Sequence, residues 1–189
     1  MFKALRNLYL NSFFYNKKIS KPFKSFLQYK PSTYLLSSIV KIQTKKININ
    51  ELALETVWTN TDLNKKQFRK LNNFFWILSL DLKSSSSSVQ KIIENWIDIN
   101  QKYISESWEF DTTSKRIISW LSNSKLTYDN GSEEYKNNFN NIIQKQTLHL
   151  FYQINHLKKY EEKLVGITAI LLFSLSYSEQ QKLLSVSLE

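Results

Sequence analysis

A chain of 189 residues, 42% hydrophobic and 14% aromatic, is long enough to bury a core and too apolar for wholesale disorder. Its 2 Gly and 2 Pro are too few for the tight turns of a β-sandwich or barrel, so composition points to long helices and polar loops. A formal charge of +10 favours anionic partners unless it reflects a Lys-, Asn- and Ile-rich genome, and the lack of Cys excludes disulfide and thiol chemistry.

Residues 1–56 read as a basic, aromatic N-terminal arm. The spacing of Phe2, Leu5, Leu8, Tyr9, Phe13 and Phe14, then Phe23, Phe26, Leu27 and Tyr34, predicts two short amphipathic helices broken near Pro22 and ended near Pro31. Such helices over residues 1–35 either lie on an anionic membrane or dock on the rest of the fold. Arg6, Asn7 and Asn11 interrupt the apolar content, so no secretory leader is expected and the cytoplasm is the default compartment. Alternation at Val40, Ile42, Ile47 and Ile49 allows a short strand or extended arm.

Residues 57–189 read as consecutive helices. The run Thr59–Asn64 supplies an N-cap, and Phe68, Leu71, Phe74, Phe75 and Leu78 then fall at helical spacing as far as about Leu80. After the serine run Ser84–Ser88, Ser87 and Gln90 fit a capping box, and a helix carrying Ile92, Ile93, Trp96 and Ile97 should end near Ile104. Asp111 is the expected cap of the next helix, with Ile117, Trp120 and Leu121 facing inward. Asn130-Gly131 makes a turn, and Ser132 caps a long helix that buries residues from Tyr135 to Leu157. A further helix covers about Glu161–Ser176, and Ser178 with Gln181 opens one more. That last helix is unfinished at Glu189, so the chain reads as a piece of something larger or as one built to pair with another chain. The apolar run Leu164–Leu175 is too short to span a bilayer.

The segment Trp108–Trp120 brackets polar residues and one arginine between two tryptophans. Trp108 could stack on a sugar ring or fill a core. Arg116 could pair with an acidic sugar, or with Asp111 or Glu109 as a structural bridge. Trp96 and Trp120 lie on apolar stripes and read as core. His149 and His156 read as helix-surface residues; seven apart, with no cluster of acids or cysteines nearby, they give no reason to expect a metal or cofactor. No nucleic-acid-binding motif is present.

The order of Trp58–Lys65, Leu71–Leu78, Ile93–Ile97, Trp108–Trp120 and the apolar helix resembles the N-terminal helical domain of the heparinase II/III family. The resemblance covers residues 57–189. It implies an all-α, incomplete α/α toroid of helical hairpins, followed in the family by a β-rich region. It also implies a polysaccharide lyase acting by β-elimination on an acidic polysaccharide. The catalytic base and acid of such a lyase would lie outside these residues, leaving no complete active site here.

The family signature reads Trp-x-Pro-Tyr-Pro-x-Ser-x-Arg-x-x-Asn-Trp. This chain keeps Trp108, Ser114, Arg116 and Trp120, with Phe110, Asp111 and Thr112 in place of Pro-Tyr-Pro and Ser119 in place of Asn. The family's Asn-His-Leu, whose Asn helps bind the substrate carboxylate, aligns with Glu162-Lys163-Leu164, while Asn155-His156-Leu157 lies seven residues earlier. Glu162 would place a negative charge where that carboxylate binds, and Lys163 is the substitute neutraliser. The implied substrate-binding residues are therefore Trp108, Ser114, Arg116 and Lys163. The alternative is a non-catalytic helical binding or structural module, either a decayed fragment or one associated with a membrane surface.

Overall fold

The computed structural model describes residues 2–30, 58, 63–79 and 85–177, and within them every regular element is helical. Helix α1 (Phe2–Leu10) and helix α2 (Phe13–Ile19) meet at an elbow where the Ser12 hydroxyl accepts the Tyr15 N–H at 3.2 Å. This cap splits the first expected helix in two, because it satisfies a backbone donor that a new helix start exposes, while the second expected helix, from Phe23 onward, does not form as far as residue 30. Both helices end before Pro22, and residues 20–30 have no regular structure. That stretch docks instead, the N–H groups of Gln28 and Tyr29 donating to the Ser176 carbonyl at 2.9 and 3.3 Å.

Helix α3 (Lys65–Asn72) begins at the expected place, with Asn64 and Gln67 closing a reciprocal capping box. It stops earlier than its apolar spacing predicts. Phe74 takes φ 57°, and a 3-10 turn (Phe75–Ser79) follows. The left-handed backbone is costly for an aromatic residue. Burial of the ring offsets it: Phe74 stacks on Trp58 at 5.3 Å and meets the edges of Trp96 and Trp120 at 6.1 and 5.1 Å.

Helix α4 (Ser86–Ile99) is capped by Ser85 rather than Ser87, and it ends at Asn100 rather than near Ile104. The Gln90 amide is not part of a capping box; it reaches across to the Leu126 carbonyl at 3.3 Å. Helix α5 (Phe110–Ser122) starts after Glu109, so Asp111 is not its cap but lies in its first turn, paired with Lys115 at 2.6 Å. A short helix α6 (Ser124–Thr127) leads to helix α7 (Glu133–Gln153), capped by Ser132 as expected. Helix α7 gives way to a 3-10 turn (Ile154–His156), and helix α8 (Tyr160–Ser176) follows. The alternating stretch from Val40 to Ile49 and the cap at Ser178 with Gln181 lie outside the described residues.

Helix α5 is the centre of the packing. It lies most extensively against α8 and also touches α7, α3 and the 3-10 turn after it, while α4 packs on α6 and α7 and α2 lies on α7. Gly166 makes the α5–α8 approach possible: a Cβ there would fall 2.3 Å from Cζ of Phe110. Trp96, Trp120, Phe139 and Phe74 interlock between these helices. Burying each such ring contributes on the order of 2 kcal/mol.

Candidate functional site

The Arg116 guanidinium is fully buried, and its neighbours explain why. Nε donates to Gln146 Oε1 on α7 at 3.0 Å. One terminal nitrogen donates to the Asn72 carbonyl at 2.7 Å and to the Ser107 carbonyl at 3.0 Å, and the other donates to Thr113 Oγ1 at 3.2 Å. The group lies 4.0 Å over the Trp96 ring of α4. The Asn72 carbonyl is the last of α3, where no intrahelical donor exists and the helix dipole favours a cation. The carboxylates the sequence offered are engaged elsewhere, Glu109 with Arg69 and Asp111 with Lys115. Burial, with no counter-ion among the described residues, pushes the Arg116 pKa well below its usual value.

Other polar groups in and around the motif are also engaged internally. The Ser119 hydroxyl donates to the Phe74 carbonyl at 2.6 Å, at the left-handed corner after α3. Trp108 Nε1 donates to the carbonyl of Asn100, the residue closing α4, at 3.2 Å. Ser114 donates to the Phe110 carbonyl one turn back at 2.8 Å. Trp96 Nε1 donates to Asn72 Oδ1 at 2.8 Å. Arg116 and Trp108 therefore supply donors to the Asn72 and Asn100 carbonyls at the ends of α3 and α4, while Ser114 bonds within its own helix.

Beside this hub a cleft of about 560 Å³ opens between α1, the loop before α5 and the end of α7. Tyr103, Trp108 and His149 line it, with Arg6, Glu109 and Gln153 among the polar groups. Arg6 donates through Nε to Gln153 Oε1 at 3.2 Å. The Gln153 amide donates in turn to the Tyr15 hydroxyl at 3.4 Å, and the Tyr15 O–H lies 2.7 Å from Nδ1 of His149.

His149 is only 3% exposed, so it is a buried residue and not the helix-surface residue its position in the sequence suggested; His156 is exposed. Desolvation lowers the His149 pKa to about 3, against smaller opposing help from a hydrogen bond to the Trp108 backbone. The 2.7 Å contact with the Tyr15 hydroxyl suits a neutral imidazole that accepts at Nδ1. Burial also raises the Tyr15 and Tyr103 phenols above their usual values.

Arg116 comes together with Trp108 by bonding the carbonyl next to it, while Ser114 bonds only within its own helix, to the Phe110 carbonyl. All three have 0% exposure, so in this conformation they hold the wall and offer no polar atom or open ring face to a ligand. Lys163 stands apart on the first turn of α8, its Nζ 5.9 Å from the Tyr160 ring, and it does not line the cleft. Glu162 is paired with Lys159 at 3.1 Å. The groups that line the cleft, Arg6, Tyr103, His149 and Gln153, were not signalled by any motif. His149 and Tyr15 meet across 134 residues of sequence. The one local hint is polar Gln146, Thr147 and His149 among the apolar residues of α7, all of them buried.

Among the described residues no group of three His, Cys, Asp or Glu could hold a metal ion, and no helix is long and apolar enough to cross a membrane. No protein-family model, curated protein or solved structure matches this chain.

Proposed function

We propose that this chain is the helical wall of a heparinase II/III-like polysaccharide lyase, an incomplete α/α toroid that helps bind an acidic polysaccharide for β-elimination. The base and acid of that reaction would come from outside these residues. One observation carries the reading. Arg116, kept from the family signature, bonds the carbonyl next to Trp108, and Trp108 backs a cleft that has Tyr103 on its wall and a cation, Arg6, at its side.

In this arrangement Trp108 and Arg116 shape the wall, and the cleft residues meet the sugar. Tyr103 offers an aromatic face to a pyranose. Arg6 has five N–H donors and gives two to Gln153, so others remain for a carboxylate or sulfate. Glu109 at the same cleft is held by Arg69, which limits its repulsion of an anion.

The test is equilibrium binding of the full chain to fluorescent heparin and to a uronate polymer, with neutral dextran as control. Binding to both acidic polymers that falls at least about tenfold in Arg6→Gln and in Tyr103→Ala supports the reading. Equal affinity for dextran, or binding that neither substitution changes, overturns it. Complete burial of Trp108, Ser114 and Arg116 favours a second reading, a non-catalytic helical module, and that reading stands if acidic polymers fail to bind at the cleft.

A further inference from the structure

The positive charge of this protein is segregated. Residues 1–50 contain ten Lys and Arg and no Asp or Glu, while residues 51–189 contain sixteen of each and are neutral overall. A uniform compositional bias would not leave the acids out of one end and balance the rest. Such asymmetry marks a segment that meets a polyanionic surface.

The described part of this segment has two unlike faces. One is fixed to the fold. Leu10, Tyr15 and Ile19 are buried, Tyr15 bonds His149, Asn16 Oδ1 accepts the Tyr103 N–H at 2.9 Å, and Lys18 lies 4.0 Å over the Tyr152 ring. The other face is bare. Leu5 and Leu8, one turn apart on α1, are 55% and 70% exposed. At the elbow Phe13 and Phe14 are 74% and 77% exposed, their rings 6.1 Å apart. Lys17, Lys21 and Lys24 follow, all exposed and none in an ion pair with a described acid.

We infer that the α1–α2 elbow is a docking surface for an anionic lipid bilayer, with Phe13, Phe14, Leu5 and Leu8 entering the headgroup boundary and Lys17, Lys21 and Lys24 facing the acidic headgroups. An acidic polysaccharide or a nucleic acid would reward the lysines but leave the aliphatic side chains and phenyl rings in water. A bilayer interface accepts both. Docking of the buried face presents the bare face without reorganisation, which lowers the ordering cost of binding. The contact is peripheral, and it is independent of the polysaccharide reading because it uses neither the cleft nor the hub.

The experiment is sedimentation of the full chain with phosphatidylcholine vesicles, with and without phosphatidylserine. The protein should bind the mixed vesicles and not the neutral ones. Lys17→Gln with Lys21→Gln and Lys24→Gln should weaken binding by about fivefold per lysine. Phe13→Ser with Phe14→Ser should weaken it at least about tenfold while leaving the thermal transition and heparin affinity unchanged. Equal binding to neutral vesicles overturns the proposal. So does an effect of the lysine variant with none from the phenylalanine variant, which would mean a soluble polyanion. So does a fall in melting temperature for the phenylalanine variant without vesicle binding, which would mean that another part of the chain covers the patch.

Discussion

Replacing Arg116 with Met removes the hub while keeping most of its volume. Three carbonyl oxygens lose their donor: Asn72 and Ser107 of the backbone and Oε1 of Gln146. Each buried acceptor left without a partner costs about 1–3 kcal/mol. The Thr113 hydroxyl loses only a bond it accepts, keeps its own O–H to donate, and adds little. Against this, the folded state no longer carries an unbalanced buried cation, whose desolvation costs several kcal/mol. Loss of the 4.0 Å stack on Trp96 removes about 1–2 kcal/mol more. The net expectation is a loss of about 2–4 kcal/mol of stability, read as a lower urea midpoint at unchanged slope by circular dichroism. Arg116→Lys should recover only part of it, because an ammonium has three donors where the guanidinium uses four and cannot lie flat on the indole. Combining Arg116→Met with Gln146→Leu should cost less than the sum of the single changes by at least about 0.5 kcal/mol. A stability change under about 1 kcal/mol for Arg116→Met, with acidic-polymer affinity lost, would refute the structural role and return the arginine to the sugar.

Gly166→Ala should cost about 1–3 kcal/mol by forcing Phe110 off the α5–α8 contact, and Phe110→Leu in the same chain should restore part of the loss on thermal unfolding. His149 should make stability depend on pH. Its folded pKa of about 3 lies below the unfolded value of about 6.5, so the contribution is complete above pH ~6.5 and is lost as pH falls toward 3. Urea melts of the wild type should therefore fall more steeply with acid than those of His149→Gln, by up to about 1.4 kcal/mol per pH unit in that window; parallel curves would contradict a buried neutral imidazole. Tyr15→Phe leaves Nδ1 of His149 without its donor and should cost about 1–2 kcal/mol, with faster proteolysis within residues 2–30 as the local readout.

Local patterning was enough to set the helical class and much of the element order. Few Gly and Pro, apolar residues at helical spacing, and caps at Asn64 and Ser132 are local signals, and each acts within a turn or two of its own position. Trp96 and Trp120 were legible as core for the same reason. Where long-range packing competed with local preference, the local signal was not enough. The apolar spacing past Leu71 ran on without the break that the buried Phe74 ring imposes, and Ser87 with Gln90 matched a capping box although Gln90 serves the Leu126 carbonyl. Which way Trp108, Ser114, Arg116 and His149 face depends on long-range packing. Helix α5 is enclosed by α3, α7 and α8, so Arg116 and Ser119 have no water to face and turn to the Asn72 and Phe74 carbonyls, far away in sequence. A pattern of residue types cannot distinguish a donor aimed at a ligand from one aimed at such a carbonyl, because the difference lies in what the rest of the chain brings within 3 Å.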